Sequence, residues 1–142
     1  MEKWWGRCVF GVGLLMAAAA VPARAAEDAA QAAATAGALD GKAFVGEVGD
    51  RGKRKGDKDE FRFQDGKFRS IACDKYGFGD AVYTTAAEGD AWTFTAQTAS
   101  PTDGTIAWEG TIRGDAVEGT ALWRKAEGKT PQEMWFRGSL KQ

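Results

Sequence analysis

Between residues 42 and 140, apolar and polar side chains alternate with a period of two, interrupted at short intervals by turns that contain glycine. This period is typical of strands with one buried face. The clearest case is the segment from Gly104 to Arg124, where a turn at Arg113-Gly114 joins two alternating runs. That turn predicts Trp108 opposite Gly119, so that large and small apolar residues face each other on one side of the pair.

Three further turns, at residues 65–66, 88–89 and 127–128, predict how the neighbouring strands pair. The first is Asp-Gly, one of the strongest hairpin signals. Together the three turns predict the facing pairs Phe63–Phe68, Phe61–Ser70, Tyr83–Phe94, Thr85–Trp92, Gly119–Phe136 and Ala121–Met134. The turns at 113–114 and 127–128 assign the same residues of their shared strand to the inward face, which supports the predicted side-chain parity.

The pattern predicts eight strands, near residues 42–48, 59–64, 67–72, 80–87, 90–98, 104–112, 115–125 and 132–140. Only the connections at 49–58 and 73–79 are longer than tight turns. An all-β antiparallel meander of this kind is most economically closed as an up-and-down barrel, because closure removes both sheet edges. We therefore predict one eight-stranded barrel over residues 39–142, with a small β-sandwich as the alternative.

Residues 1–25 have the features of a secretory signal peptide. Lys3 and Arg7 precede an apolar run at 9–21, which ends in Ala23-Arg24-Ala25, a site for signal peptidase. This run is too short to span a membrane, and no later segment is long and apolar enough. We expect an exported protein, periplasmic or extracellular, without a transmembrane anchor. Residues 26–38 are alanine-rich and predict a flexible tether or a short helix.

Composition excludes several kinds of chemistry. The 142 residues include no histidine, which rules out Ser-His-Asp and Cys-His catalysis and histidine-bearing metal sites. Of the two cysteines, Cys8 lies in the predicted signal peptide, so Cys73 remains without a redox partner and is expected to be buried and inert. A net charge of −1 gives no indication of nucleic-acid binding. We expect no catalytic residue, no cofactor and no metal.

The acidic residues do not form a recognisable site. Asp57, Asp59 and Glu60 lack the oxygen spacing of a calcium loop, so we interpret them as a solvated charge run. The turn at 113–114 predicts Glu109 opposite Glu118 on the outer face, where a raised pKa is not expected. The basic, glycine-rich loop at 49–58 is interpreted as a solvated connection. The alternative, a basic patch for an anionic partner, is weakened by the nearby acidic residues Asp57, Asp59 and Glu60.

The connection at 73–79 is longer than its strands require and contains two aromatic residues, Tyr76 and Phe78. Functional residues concentrate on such loops, so it is either the rim of a binding mouth or a lid that closes the barrel. With the inward-facing rings it gives ten candidate ligand-binding residues: Phe44, Phe61, Phe63, Tyr76, Phe78, Tyr83, Trp92, Phe94, Trp108 and Phe136. An eight-stranded barrel either is filled by side chains or holds one small ligand, and the number of large residues favours a filled interior.

The chain resembles the calycins, the class of barrels that includes lipocalins. The resemblance covers residues 39–141 and is architectural. Gly41-Lys42-Ala43-Phe44 is similar to the Gly-x-Trp motif of the first lipocalin strand, with Phe in place of Trp and one additional residue. The segments FRSIACDKYGFGDAVY and WEGTIRGDAVEGTALW resemble segments of short exported bacterial proteins. The resemblance implies a lipocalin-like barrel.

These observations predict a non-catalytic exported barrel that binds a small apolar or amphipathic ligand, within the barrel or at one end. The alternative is a solid barrel that serves as a protein-interaction or envelope accessory module through its outer surface. There, Leu122 and the outward-facing Trp135 would form an apolar patch. The sequence does not indicate a particular protein partner.

Overall fold

The computed structural model describes residues 37–126 and 128–142. The strands are β1 (Ala43–Asp50), β2 (Asp57–Gln64), β3 (Lys67–Ser70), β4 (Ala81–Glu88), β5 (Ala91–Ser100), β6 (Gly104–Arg113), β7 (Ala116–Arg124) and β8 (Gln132–Leu140). Each strand pairs antiparallel with the next, and β8 pairs with β1, so the sheet closes into a barrel. The predicted all-β up-and-down barrel is confirmed. The predicted signal peptide and most of the predicted tether lie outside the described residues.

Two of the predicted hairpin registers are confirmed. At the β2–β3 turn, Asp65 and Gly66 have φ of 52° and 73°, the pair of positive values that a type I′ turn requires. Phe63 consequently faces Phe68. Between β7 and β8 the predicted pairing is also correct, because Phe136 faces Gly119 across the strands.

The predicted registers of the β4–β5 and β6–β7 hairpins are wrong by two residues. Tyr83 faces Ala96, Thr85 faces Phe94, Trp108 faces Ala121 and Gly119 faces Gly110. The turns lie at residues 89–90 and 114–115, where each glycine takes the first central position with φ near 60°. This arrangement is typical of a type II′ turn, and it spares Glu88 and Arg113 the positive φ that the predicted turns would impose. A shift of two residues preserves the inward face.

Because of the same two-residue shift, the predicted pairing of Glu109 with Glu118 is wrong. Glu109 faces Thr120, and Glu118 faces Thr111 on one side and Arg137 on the other.

Strand bounds also differ from the prediction at the 49–58 and 73–79 connections. β2 begins at Asp57, and β3 ends at Ser70, after which residues 71–76 form a short 3₁₀ helix instead of continuing the strand.

Aromatic rings fill the barrel interior. Apart from Phe78, which lies on the connection after β3, the buried rings are Phe44, Phe61, Phe63, Phe68, Tyr83, Phe94, Trp108 and Phe136. They contact one another at centroid distances such as 4.9 Å for Phe63–Phe94 and 5.1 Å for Phe61–Phe136. Trp108, at the centre, donates its indole N–H to Thr98 Oγ1 at 3.1 Å, so its polar atom is satisfied inside the core.

The barrel end near the 65–66 turn is closed by the segment before β1. Leu39 is fully buried there, and its backbone N–H donates to the Tyr83 hydroxyl at 3.1 Å. That hydroxyl donates in turn to Asp40 at 2.6 Å. Asp40 also accepts a hydrogen bond from the backbone N–H of Gly66. In the described part of the chain, no helix has the length and apolar character needed to cross a membrane.

The close contact of β6 and β7 at Gly119 gives a stability prediction. An added Cβ at Gly119 would lie 2.1 Å from the carbonyl oxygen of Glu109, a backbone atom that cannot move aside. We expect Gly119→Ala to lower the free energy of unfolding by about 2 kcal/mol or more, measured by urea denaturation. Gly79→Ala is the matched control, because a Cβ there meets no atom within 4 Å. Equal stability of the two variants would contradict the prediction.

Candidate ligand-binding site

A pocket of about 360 Å³ lies at the barrel end opposite Leu39. It is bounded by the loop at residues 51–56, by the 3₁₀ helix and Phe78 after it, and by the ends of the neighbouring strands. The larger apolar and aromatic side chains that line it are Val48, Tyr76, Phe78, Ile106, Trp123 and Met134, and its charged rim consists of Asp50, Lys53, Lys55, Asp57 and Lys75. Apolar walls with a few polar groups at the opening are the usual composition of a small-molecule site.

Three aromatic side chains form one wall of this pocket. Trp123 lies between Tyr76, at a ring-centroid distance of 5.7 Å, and Phe78, which is perpendicular to it at 5.9 Å. Its indole N–H donates to the carbonyl oxygen of Asp103 at 2.7 Å, which fixes the ring. Phe78 is 2% exposed and caps the packed interior, whereas Tyr76 is 42% exposed and its ring remains open to solvent. The 73–79 connection therefore contributes a buried ring, Phe78, and an exposed ring at the pocket opening, Tyr76.

The rim lysines differ in their partners. Lys53 forms an ion pair with Asp50 at 3.1 Å, and Asp50 also accepts a hydrogen bond from Gln132. The hydrogen bond from Lys53 is the main reason that the pKa of Asp50 is lowered. Lys55 and Lys75 are exposed and form no ion pair with any described residue. Two positive charges at the mouth are thus left without a carboxylate partner among the described residues.

Asp59 positions the 3₁₀ helix that carries this rim. It is buried beneath the mouth, with 5% of its surface exposed. Its carboxylate accepts hydrogen bonds from Ser70 Oγ at 2.5 Å, from the backbone N–H of Ala72 at 2.9 Å and from that of Glu60 at 2.7 Å. Burial outweighs these bonds and raises the pKa of Asp59. The interpretation of Asp59 as a solvated charge is therefore wrong.

Two of the ten residues predicted from the sequence, Tyr76 and Phe78, line the mouth pocket. Seven lie in the packed interior, namely Phe44, Phe61, Phe63, Tyr83, Phe94, Trp108 and Phe136. Trp92 is partly buried against the core from the end of β5 near Leu39. Sequence reasoning missed Trp123, Lys55 and Lys75 as pocket residues. Trp123 had a usable signal, since its parity on the strand placed it on the inward face.

The outer surface that the alternative function would use is partly engaged within the chain. Trp135 is half-buried, and its indole N–H donates to the carbonyl oxygens of Asp50 at 3.0 Å and Lys53 at 2.8 Å. The Arg137 guanidinium lies 4.8 Å from its ring centroid. Trp135 and Leu122 line a second pocket, of about 610 Å³, on the barrel wall. Trp135 thus fastens the 51–56 loop to the barrel.

No protein-family model, curated protein or solved structure matches this chain. The described residues hold no group of three or more acidic, cysteine or histidine side chains arranged to bind a metal ion. The geometry of the mouth pocket is therefore the main basis for a functional argument.

The buried carboxyl of Asp59 predicts a pH dependence of stability. Its pKa is raised above the ordinary 3.8, so the folded chain holds this proton more tightly than the unfolded chain does. The contribution of Asp59 to the free energy of unfolding must then fall as the pH rises from 3.8 through the raised pKa. We expect urea denaturation over this range to show the native chain losing stability relative to Asp59→Asn with rising pH. Parallel curves for the two proteins would contradict this assignment.

Cys73 gives a reactivity prediction. Its side chain is 9% exposed, and burial raises the pKa of the thiol to about 11. Since the thiolate is the reactive form, alkylation by iodoacetamide at neutral pH should be roughly 100-fold slower in the folded protein than in urea. Mass spectrometry of the peptide that contains Cys73 measures both rates. Similar rates in the two states would show that the thiol is accessible in the folded protein.

Proposed function

We propose that this protein is a non-catalytic binding protein that holds a small amphipathic molecule in the pocket at the barrel mouth. The observation that carries the proposal is the pocket itself. It combines an exposed Tyr76 ring and a fixed Trp123 ring with a charged rim, at the end of a rigid barrel. Stacking and burial against aromatic rings would provide the affinity, and the rim would orient the ligand.

The packing of the core favours a ligand at the barrel mouth over a ligand in the barrel interior. The interior rings contact one another directly, and none of them lines the pocket, whereas the buried Phe78 and Ile106 do. A ligand placed among the rings would have to displace buried side chains, at a cost typical of overpacking a core. The mouth requires no such rearrangement. Its volume of about 360 Å³ lies at the lower end of the usual range for small-molecule sites and fits a ligand of modest size.

The proposed cellular location is an inference from the sequence alone. Residues 1–25 support export, so the ligand would be met in the periplasm or outside the cell. Binding there, with neither catalysis nor a cofactor, is consistent with a role in carrying or sequestering the ligand.

An outer-surface interaction module remains the alternative function. Its candidate residues Leu122 and Trp135 line the second pocket on the barrel wall. The mouth pocket takes precedence because the polar atom of Trp135 is already bonded to carbonyl oxygens of its own chain. Concentration-dependent association in sedimentation velocity, lost on Leu122→Ser, would favour the alternative.

An uncharged fluorescent dye tests the proposed function. N-phenyl-1-naphthylamine brightens when it leaves water for an apolar site, and we expect it to bind the native chain with saturable, one-site behaviour. Tyr76→Ala should weaken this binding about fivefold, because one wall of the pocket is lost. Val82→Ala is the matched control, since Val82 is 71% exposed on the outer wall and its loss should change nothing. No saturable binding, or equal loss in both variants, would reject the mouth site.

A further inference from the structure

The charges of the mouth add a feature that the proposed function leaves open. The pocket rim carries three lysines and two aspartates. Lys53 and Asp50 neutralise each other as an ion pair. The remaining charged residues of the rim are Lys55 and Lys75, which are positive, and Asp57, which is negative. The whole chain, by comparison, has a net charge of −1. The side chains that line the mouth therefore carry one net positive charge (three lysines against two aspartates), on a chain whose overall charge is negative. The exposed Lys55 and Lys75 can attract an anion, since Asp59 lies below the pocket and does not line it.

The aromatic wall lies next to these charges. Lys75 Nζ is 5.1 Å from the centroid of the Tyr76 ring. Lys125 Nζ lies 4.7 Å from the centroid of the Trp123 ring, beside the same wall. An acidic group bound near Lys75 would thus be within one ring's width of an apolar surface. This juxtaposition matches a molecule with an anionic group attached directly to a flat or aliphatic body.

Asp59 gives this arrangement a fixed position. By accepting the hydrogen bonds from Ser70 and Ala72, it holds the first residues of the 3₁₀ helix on which Lys75 and Tyr76 lie. On the opposite side of the mouth, the loop carrying Lys55 is bonded to β8 through the carbonyl oxygens of Lys53 and Arg54. Lys55 and Lys75, which form no ion pair with a described residue, therefore lie on two segments that are hydrogen-bonded to the barrel, and both line the pocket.

From these observations we propose that the ligand is an acid-bearing amphiphile, whose anionic group lies between Lys55 and Lys75 and whose apolar body lies against Tyr76 and Trp123. This inference rests on the proposed function, because it specifies the ligand of the same pocket. The shared chemistry is a carboxylate, sulfonate or phosphate on an apolar body. Both a free molecule and an anionic lipid head group have this chemistry.

Two dyes with one ring framework test the inference. 8-Anilinonaphthalene-1-sulfonate is N-phenyl-1-naphthylamine with an added sulfonate, so the difference between their affinities isolates the anionic group. We expect the sulfonate to bind the native chain about tenfold more tightly at low salt, an energy reasonable for two surface charge contacts. The advantage should shrink as salt is raised, because the lysines are exposed and screened.

Charge-removing variants locate the effect. Lys55→Gln and Lys75→Gln should each weaken sulfonate binding about threefold and weaken binding of the uncharged dye by a clearly smaller factor, because both lysines line the pocket but only the sulfonate carries a charge for them to bind. Lys58→Gln is the matched control: Lys58 is exposed and forms no ion pair with a described residue, yet it does not line the pocket. It removes the same charge three residues from Lys55 and should leave both dyes unaffected.

The outcomes separate the two proposals. If the uncharged dye binds but the sulfonate is no tighter, or if Lys58→Gln weakens the sulfonate as much as Lys55→Gln, the acidic ligand is rejected and the proposed function stands. If neither dye binds saturably, the proposed function itself fails. With the acidic ligand supported, cosedimentation with phosphatidylglycerol vesicles, but not with phosphatidylcholine vesicles, assigns the acidic group to a membrane lipid. Absence of cosedimentation assigns it to a free molecule.

Discussion

The packing of aromatic rings inside a narrow barrel determines what the rest of this protein can do. An eight-stranded barrel has room for its own side chains or for one small ligand. Here the rings occupy that space, and the facing glycines Gly110 and Gly119 make it possible, because an added Cβ at either position would lie within 2.7 Å of the Phe136 ring. Trp108 is tolerated at the centre because Thr98 satisfies its N–H. The interior consequently leaves no position for a ligand, and the pocket that we propose as the site lies at an end of the barrel.

The two ends are closed in different ways, and this difference creates the candidate site. At one end Leu39 and the hydrogen-bonded Tyr83 seal the interior. Asp59, Phe61 and Phe63 occupy successive inward positions of β2. The two phenylalanines belong to the ring packing, whereas Asp59, nearest the other end, places a carboxylate on the inward face. A buried carboxylate requires hydrogen-bond donors. The chain after Ser70 turns into the 3₁₀ helix, and this turn places the backbone N–H of Ala72 where it donates to Asp59. That turn brings Tyr76 and Phe78 over the mouth.

Much of the barrel could be predicted from the sequence, because strand parity depends only on alternation. Placing the turn at Arg113-Gly114 instead of 114–115 gave wrong partners, yet Trp108 was still assigned inward. The mouth was harder to predict. Lys55 and Lys75 are ordinary exposed residues until the closure of the barrel brings their segments together. Asp59 did carry a signal, since it shares the parity of Phe61, but its charge suggested a solvated position.

Affinity at a surface pocket depends on how much of the pocket must be ordered when the ligand arrives. Trp123 and Met134 lie on barrel strands and pack against the core, so the entropic cost of ordering the pocket depends mainly on the 51–56 loop. Trp135 fastens this loop through the carbonyl oxygens of Asp50 and Lys53, and an ion pair between Arg51 and Glu133 adds a second attachment. Trp135, which the sequence suggested as part of a partner surface, therefore supports the mouth pocket by holding the loop that lines it. An aromatic residue on the outer face of a small barrel can thus hold a loop that lines a pocket of the same chain.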